Sequence, residues 1–133
     1  MKLTDLLNST YSYDGMGPRQ FNCWGLVRAG LHGLFGIPLL PAYGDIHPHN
    51  KVALTRAWGE VGKAFEPCGA EPGAMACFFE GDVLEHIGLV IERRAELWVL
   101  HTNETTGPVQ TPVRHAARLA QRVRYYRYVE PRV

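Results

Sequence analysis

Three side chains have the types and placement for nucleophilic attack on a carbonyl: Cys23, His86 and His101. Cys23 sits in Phe21-Asn22-Cys23-Trp24-Gly25-Leu26-Val27, where a turn-rich stretch gives way to an amphipathic helix. A thiol at a helix start sees the positive end of the backbone dipole and unpaired N–H groups, and both favour the reactive thiolate. His86 opens the run His-Ile-Gly-Leu-Val-Ile, and His101 closes Leu-Trp-Val-Leu-His; each run reads as a strand. Cys23 would attack, and its backbone N–H would supply part of an oxyanion hole. His86 would take the thiol proton and return one to the leaving amine. His101 would fix the ring and tautomer of His86.

Each residue also has a plainer explanation. Cys23 falls on the apolar helix face, where most cysteines are simply buried. A lone histidine in a strand is more often a satisfied core or surface residue. The three together, in this order, carry the chemical reading. Other constellations are weaker. His47-Pro48-His49 lacks the cysteines or carboxylates of a metal site, so no metal and no cofactor is expected. The only serines are Ser9 and Ser12, and no nucleophile-elbow motif surrounds them. No phosphate-binding glycine loop is present. Arg114, Arg118, Arg122, Arg124, Arg127 and Arg132, interleaved with Tyr125, Tyr126 and Tyr128, read as a solvated face rather than a nucleic-acid surface.

The elements that must position these groups follow from periodicity. Leu3 to Asn8 reads as a short helix, and Thr10 to Gln20 as an ordered loop. Asn22 is a good N-cap. Cys23, Leu26, Val27, Gly30, Leu31 and Leu34 recur on one helical face, and the helix stops near Gly36-Ile37-Pro38. Pro38 to Asn50 is a surface loop, Asn50 to Phe65 a second helix, and Glu66 to Gly73 a Pro/Gly-rich connection. Ala74 to Glu80, His86 to Glu92 and Glu96 to Thr102 are strands. Val109 to Val113 is an edge strand between prolines. Arg114 to Gln121 is a short helix or turn, and Val123 to Val129 a last strand. Alternation puts His86, Gly88 and Val90 on one face, and Gly88 leaves a gap that a helix backbone could enter. Helices followed by an antiparallel sheet make an α+β fold.

The 133 residues suit one domain, residues 1–133. With 46% hydrophobic and 20% charged residues the chain has the composition of an ordinary globule. Its net charge of +1 gives no reason to expect nucleic acid or an anionic membrane as partner. No apolar run approaches the roughly 20 residues of a membrane span. Met1 to Asn8 does not read as a signal peptide, so synthesis in the cytoplasm is expected. Three cysteines leave at least one unpaired, and a reducing birthplace favours three free thiols over a Cys68–Cys77 bridge.

Cysteine on a helix, then histidines on two strands, is the order found in papain-like thiol hydrolases. At these residues the chain resembles the NlpC-type cysteine peptidases of bacterial cell-wall metabolism. The resemblance begins at Tyr11 and Gly15 and runs through Phe21 to Val27, Pro72-Gly73, His86-Ile87-Gly88, His101 and Tyr125-Tyr126-Arg127-Tyr128. It implies a papain-like fold with the nucleophile helix packed on an antiparallel sheet. It implies a Cys23–His86–His101 triad, with Tyr11, Asn22 and Trp24 at the oxyanion and substrate positions. It also implies hydrolysis of an amide in the peptidoglycan stem peptide, typically between γ-D-glutamate and a diamino acid. Cys-Trp-Gly-Leu-Val-Arg followed by Gly36 to Gly44 resembles the branch found in tail proteins of bacteriophages and prophages. Tail-tip or baseplate proteins are then expected partners. The protein would be made in the host cytoplasm, carried in the virion tail and active at the cell wall or periplasm. Asn22 stands where the family usually has Asp, and Trp24 where it has Ser. Those departures suit the alternative, a structural tail component with little or no activity.

Overall fold

A computed structural model describes residues 1–43 and 50–129. The first layer is helical. Helix α1 (Leu3–Leu7) leads into two-residue strands β1 (Thr10–Tyr11) and β2 (Gln20–Phe21), which pair in parallel and bracket an ordered loop. Helix α2 (Cys23–Phe35) follows at once and ends at Gly36, whose φ of 70° closes it in the left-handed conformation. Helix α3 (Lys51–Val61) is capped by Asn50 and ends in a 3-10 turn over Gly62–Ala64.

The second layer is one sheet. Its strands are β3 (Phe65–Cys68), β4 (Met75–Glu80), β5 (Val83–Arg93), β6 (Glu96–Asn103), β7 (Gly107–Pro112) and β8 (Arg122–Tyr128), with helix α4 (Val113–Ala116) between the last two. The spatial order is β3-β8-β4-β5-β6-β7, antiparallel throughout. The α+β class read from the sequence therefore holds.

Several boundaries differ from the sequence reading: β5 begins at Val83 rather than His86, short strands flank the loop expected over Thr10 to Gln20, and Val113 opens a helix rather than closing the edge strand. The second helix stops at Val61 rather than running to Phe65, and Glu66–Cys68 belongs to a strand rather than a connection. Gly59 and Gly62 weaken the helix end. Phe65 gains more in the sheet, with its ring 6.0 Å from Trp58 and 5.8 Å from Tyr128. Pro67 is tolerated because β3 is an edge strand. The last strand, β8, is an interior one, inserted between β3 and β4. His47-Pro48-His49, Gly44 and Arg132 lie outside the described residues.

The sheet has two apolar faces. Met75, Cys77, Ile87, Leu89, Ile91 and Leu100 pack against α2 through Leu26, Val27 and Leu31. Ala76, Phe78 and Val99 form a smaller cluster with Ala116 on α4. Close contact between α2 and the sheet depends on Gly30, where a Cβ would stand 2.4 Å from Leu89 Cδ2.

Candidate active site

The first turn of α2 is held from three directions. Asn22 Oδ1 accepts from the Gly25 amide at 2.7 Å, the N-cap bond, while its Nδ2 donates to the Tyr13 carbonyl at 3.0 Å. The Asn22 amide nitrogen donates to the Gly15 carbonyl at 2.9 Å. That carbonyl passes so near Gly25 that a Cβ there would stand 2.2 Å from it, so no larger residue fits. One turn apart, Trp24 Nε1 donates to the Pro41 carbonyl at 2.9 Å and Arg28 Nε to that of Leu40 at 2.6 Å. These bonds fold the segment after α2 back over its start.

Cys23 is the first residue of α2 and is 8% exposed. Burial pushes its thiol up from the ordinary value. The Lys51 ammonium and hydrogen bonds from the amides of Ile87, Trp24 and Cys23 itself pull the other way. The helix start does point its N–H groups at the sulfur, but desolvation outweighs them. The sequence expectation of a depressed thiol thus fails for this resting state. Cys23 and Ile87 of β5, the residue after His86, line the same cleft.

His86 is aimed by an irregularity in β5. Phe78 pairs with His86 and Phe79 with Leu84, which leaves Glu85 as an extra residue, a β-bulge. Helix α3 clasps this bulge. Lys51 Nζ donates to the Glu85 carbonyl at 2.7 Å, and the Leu84 amide donates to Thr55 Oγ1 at 3.0 Å. Thr55 Oγ1 in turn donates to the Lys51 carbonyl at 2.7 Å. The His86 ring lies 5.6 Å from Phe78.

His86 Nε2 lies 2.9 Å from His101 Nδ1, and His101 Nε2 lies 2.9 Å from Thr111 Oγ1 on β7. The two-residue turn at Arg94 and Ala95, both at positive φ, sets the β5–β6 register, whose last pair toward the site is Leu89↔Leu100. His101 therefore reaches His86 diagonally, past Gly88. A Cβ on Gly88 would stand 2.5 Å from Val99 Cγ1 and 3.2 Å from His101 Cβ. The gap at Gly88 is thus taken by β6, not by a helix backbone as the sequence suggested. Burial, then the charges of His101 and Lys51, pushes His86 down to about 3, and burial lowers His101 as well. Both rings are neutral at neutral pH. Among the described residues His86 Nδ1 has no partner, and no hydrogen bond joins the thiol to either imidazole.

Tyr11 pairs with Phe21 beside the start of α2, and its phenol is raised by burial and then by the charges of Cys23 and Glu104. It therefore lies within the electrostatic reach of the thiol. An apolar cleft opens beside Cys23, walled by Trp24 on α2, Leu54, Ala57 and Trp58 on α3, and Leu84 and Ile87 on β5. Among the described residues no group of His, Cys, Asp and Glu side chains could hold a metal ion, and no helix is long and apolar enough to cross a membrane. All three cysteines are free.

The family model of NlpC/P60 matches residues 8–129, from the end of α1 to just past β8. The chain belongs to the NlpC/P60 family. No curated protein matches it. The family is in general one of peptidoglycan-hydrolysing cysteine peptidases, and membership supports the same class here. Within the matched span the sequence had singled out Tyr11, Asn22, Cys23, Trp24, His86 and His101. Lys51, Thr55 and Thr111 were not singled out for chemistry. Nothing in their local pattern marks them, because each acts through contacts made across elements.

Proposed function

We propose that this NlpC/P60 protein is a cysteine peptidase that hydrolyses an amide bond of peptidoglycan stem peptides through Cys23, His86 and His101. The observation that carries the reading is the seat of Cys23. Cys23 opens α2 and shares a cleft with Ile87 of β5, and His86, the residue before Ile87, is paired at Nε2 with His101 Nδ1 at 2.9 Å. Thiol and imidazole are both neutral at rest. As Sγ attacks the carbonyl carbon, His86 takes the thiol proton at Nδ1. The amides of Cys23 and Trp24, in the first turn of α2, serve as donors to the oxyanion in this reading. His86 then protonates the leaving amine, the C–N bond breaks, and water hydrolyses the thioester. Neutral His101 holds His86 in one tautomer, as Thr111 holds His101. Tyr11 stands by the oxyanion. Asn22 spends both ends of its amide on the helix start, and Trp24 lines the cleft, so their contribution is to shape.

The γ-D-glutamyl–diamino acid amide is the first bond to test. On the resemblance of Cys23 to Arg28 and Gly36 to Gly44 to phage and prophage tail proteins, the enzyme opens the wall during DNA entry. It would be made in the host cytoplasm and act from the virion tail at the cell wall or periplasm, beside tail-tip or baseplate partners. The test is mass spectrometry of stem peptides and peptidoglycan incubated with the wild type and with Cys23→Ala. A cleaved amide in the wild-type sample alone supports the reading, and the fragment masses name the bond. No product, together with a Cys23 inert to alkylation in the folded protein, would favour a structural tail component instead.

A further inference from the structure

We propose that the Lys51 ammonium is the binding point for a substrate carboxylate beside the scissile amide, so that the site selects an anionic stem peptide over an amidated one. The inference rests on Cys23 as the nucleophile of a stem-peptide peptidase and deepens that reading by naming the charge its substrate must carry. Lys51 is the first residue of α3, and Leu54, Ala57 and Trp58 beyond it line the cleft that Cys23 shares with Leu84 and Ile87. Lys51 Nζ reaches across to β5 and donates to the Glu85 carbonyl at 2.7 Å. The ammonium is thereby pinned to the backbone between Leu84, which walls the cleft, and His86. Its charge bears on both reacting groups, favouring the Cys23 thiolate and disfavouring protonated His86, and among the described residues no other cation does so.

The ammonium keeps capacity for a ligand. It carries three N–H donors, of which the Glu85 carbonyl takes one. The Glu85 carboxylate stands off at 4.0 Å, and the two side chains are 32% and 38% exposed, so water weakens that pair. A carboxylate delivered by a bound peptide would accept a charge-assisted hydrogen bond from a remaining donor. A primary amide in the same place would bring no charge. The proposed substrate offers two such carboxylates. A γ-linked glutamyl residue leaves its α-carboxylate free on the acyl side of the scissile bond, and the diamino acid presents one on the amine side. Masking each in turn as its amide tells them apart.

The charge preference is read first without turnover. Cys23 is alkylated with iodoacetate and with iodoacetamide, and peptide-mapped mass spectrometry separates it from the half-buried Cys68. The ratio of the two rates cancels the thiolate fraction, which both reagents share. Relative to 2-mercaptoethanol, an uncharged thiol, the wild-type ratio should favour iodoacetate about fivefold at low salt and fall as salt is added. Lys51→Gln, which keeps a donor for the Glu85 carbonyl, should lose the preference, and Lys51→Arg should keep it. Steady-state hydrolysis then compares L-alanyl-γ-D-glutamyl-L-lysine with its isoglutaminyl form and with its lysine-amide form. One masked peptide should lose about tenfold in kcat/KM with the wild type and far less with Lys51→Gln, and which one it is names the carboxylate. A purely structural role for Lys51 would slow all three peptides alike.

A wild-type ratio no higher than that of 2-mercaptoethanol, or one that Lys51→Gln leaves unchanged, would overturn the proposal while leaving Cys23 as nucleophile. Equal cleavage of the three peptides would overturn it as well. A Cys23 inert to both reagents would remove the nucleophile, and the proposal with it. A preference for iodoacetate with no peptide cleaved would support the anion site and count against the stem-peptide reading, so the two failures are distinguishable. If Lys51→Gln does not fold, the wild-type ratio and its salt dependence decide.

Discussion

His86 Nε2 and His101 Nδ1 lie 2.9 Å apart across two strands, and the far nitrogen of His101 is itself 2.9 Å from Thr111 Oγ1. The chain of contacts from β5 to β7 leaves one nitrogen of His86 uncommitted. That nitrogen is the one the proposed mechanism uses. The relation also ranks the residues, because a proton carrier matters more than the group that orients it.

Cys23→Ala should abolish amide hydrolysis while leaving the fold in place. The alanine fits the same space and removes only the sulfur. Turnover persisting in this variant, measured by product mass, would exclude Cys23 as nucleophile.

His86→Ala should lower kcat by roughly a hundredfold or more. His101→Ala should cost less, on the order of tenfold, and Thr111→Val less again, with KM little changed in each. Equal tolerance of the two histidine substitutions in steady-state kinetics would sink the proposed triad.

Lys51 is the positioning residue for the bulge. Lys51→Met removes the ammonium that holds the Glu85 carbonyl, and with it a charge that favours the Cys23 thiolate and disfavours protonated His86. The pH profile of Cys23 alkylation should therefore move to higher pH, and Lys51→Arg should return it part of the way. A profile unmoved by Lys51→Met would reduce the residue to packing.

Acid should destabilise the fold through the same imidazoles. An unfolded histidine titrates near 6.5, whereas His86 is held down to about 3 by burial first and then by neighbouring charge. Between those values the unfolded chain binds a proton that the native state does not, so stability falls as pH drops. The slope approaches about 1.4 kcal/mol per pH unit for one such group. His101, lowered by burial, acts in the same sense. Urea midpoints measured between about pH 7 and about pH 4.5 should decline, and less steeply in His86→Gln. Parallel declines in the two proteins would contradict a buried neutral His86.

Asn22→Ala should destabilise the protein by about 1–2 kcal/mol, since it deletes the N-cap acceptor and frees the Tyr13 carbonyl. Asn22→Asp keeps the cap and loses the donor, so its melting temperature should fall between the two. An Asn22→Ala protein as stable as the wild type would show that the loop, not the cap, holds the helix start.

Much of this arrangement is local and was open to the sequence. The capping Asn22, the apolar stripe from Cys23 to Leu31, the stop at Gly36 and the strands carrying His86 and His101 follow from periodicity and turn chemistry within short windows. Three features needed the tertiary structure. The bulge at Glu85 and its clasp by Lys51 and Thr55 join residues about 30 positions apart, and no local pattern records them. The role of Gly88 was reversed, because its missing side chain admits Val99 and His101 from β6 rather than a helix. The state of the thiol also changed sign. A helix start favours the thiolate wherever it stands, but how far the sulfur is withdrawn from water is set by everything packed around it, and here burial is the larger effect.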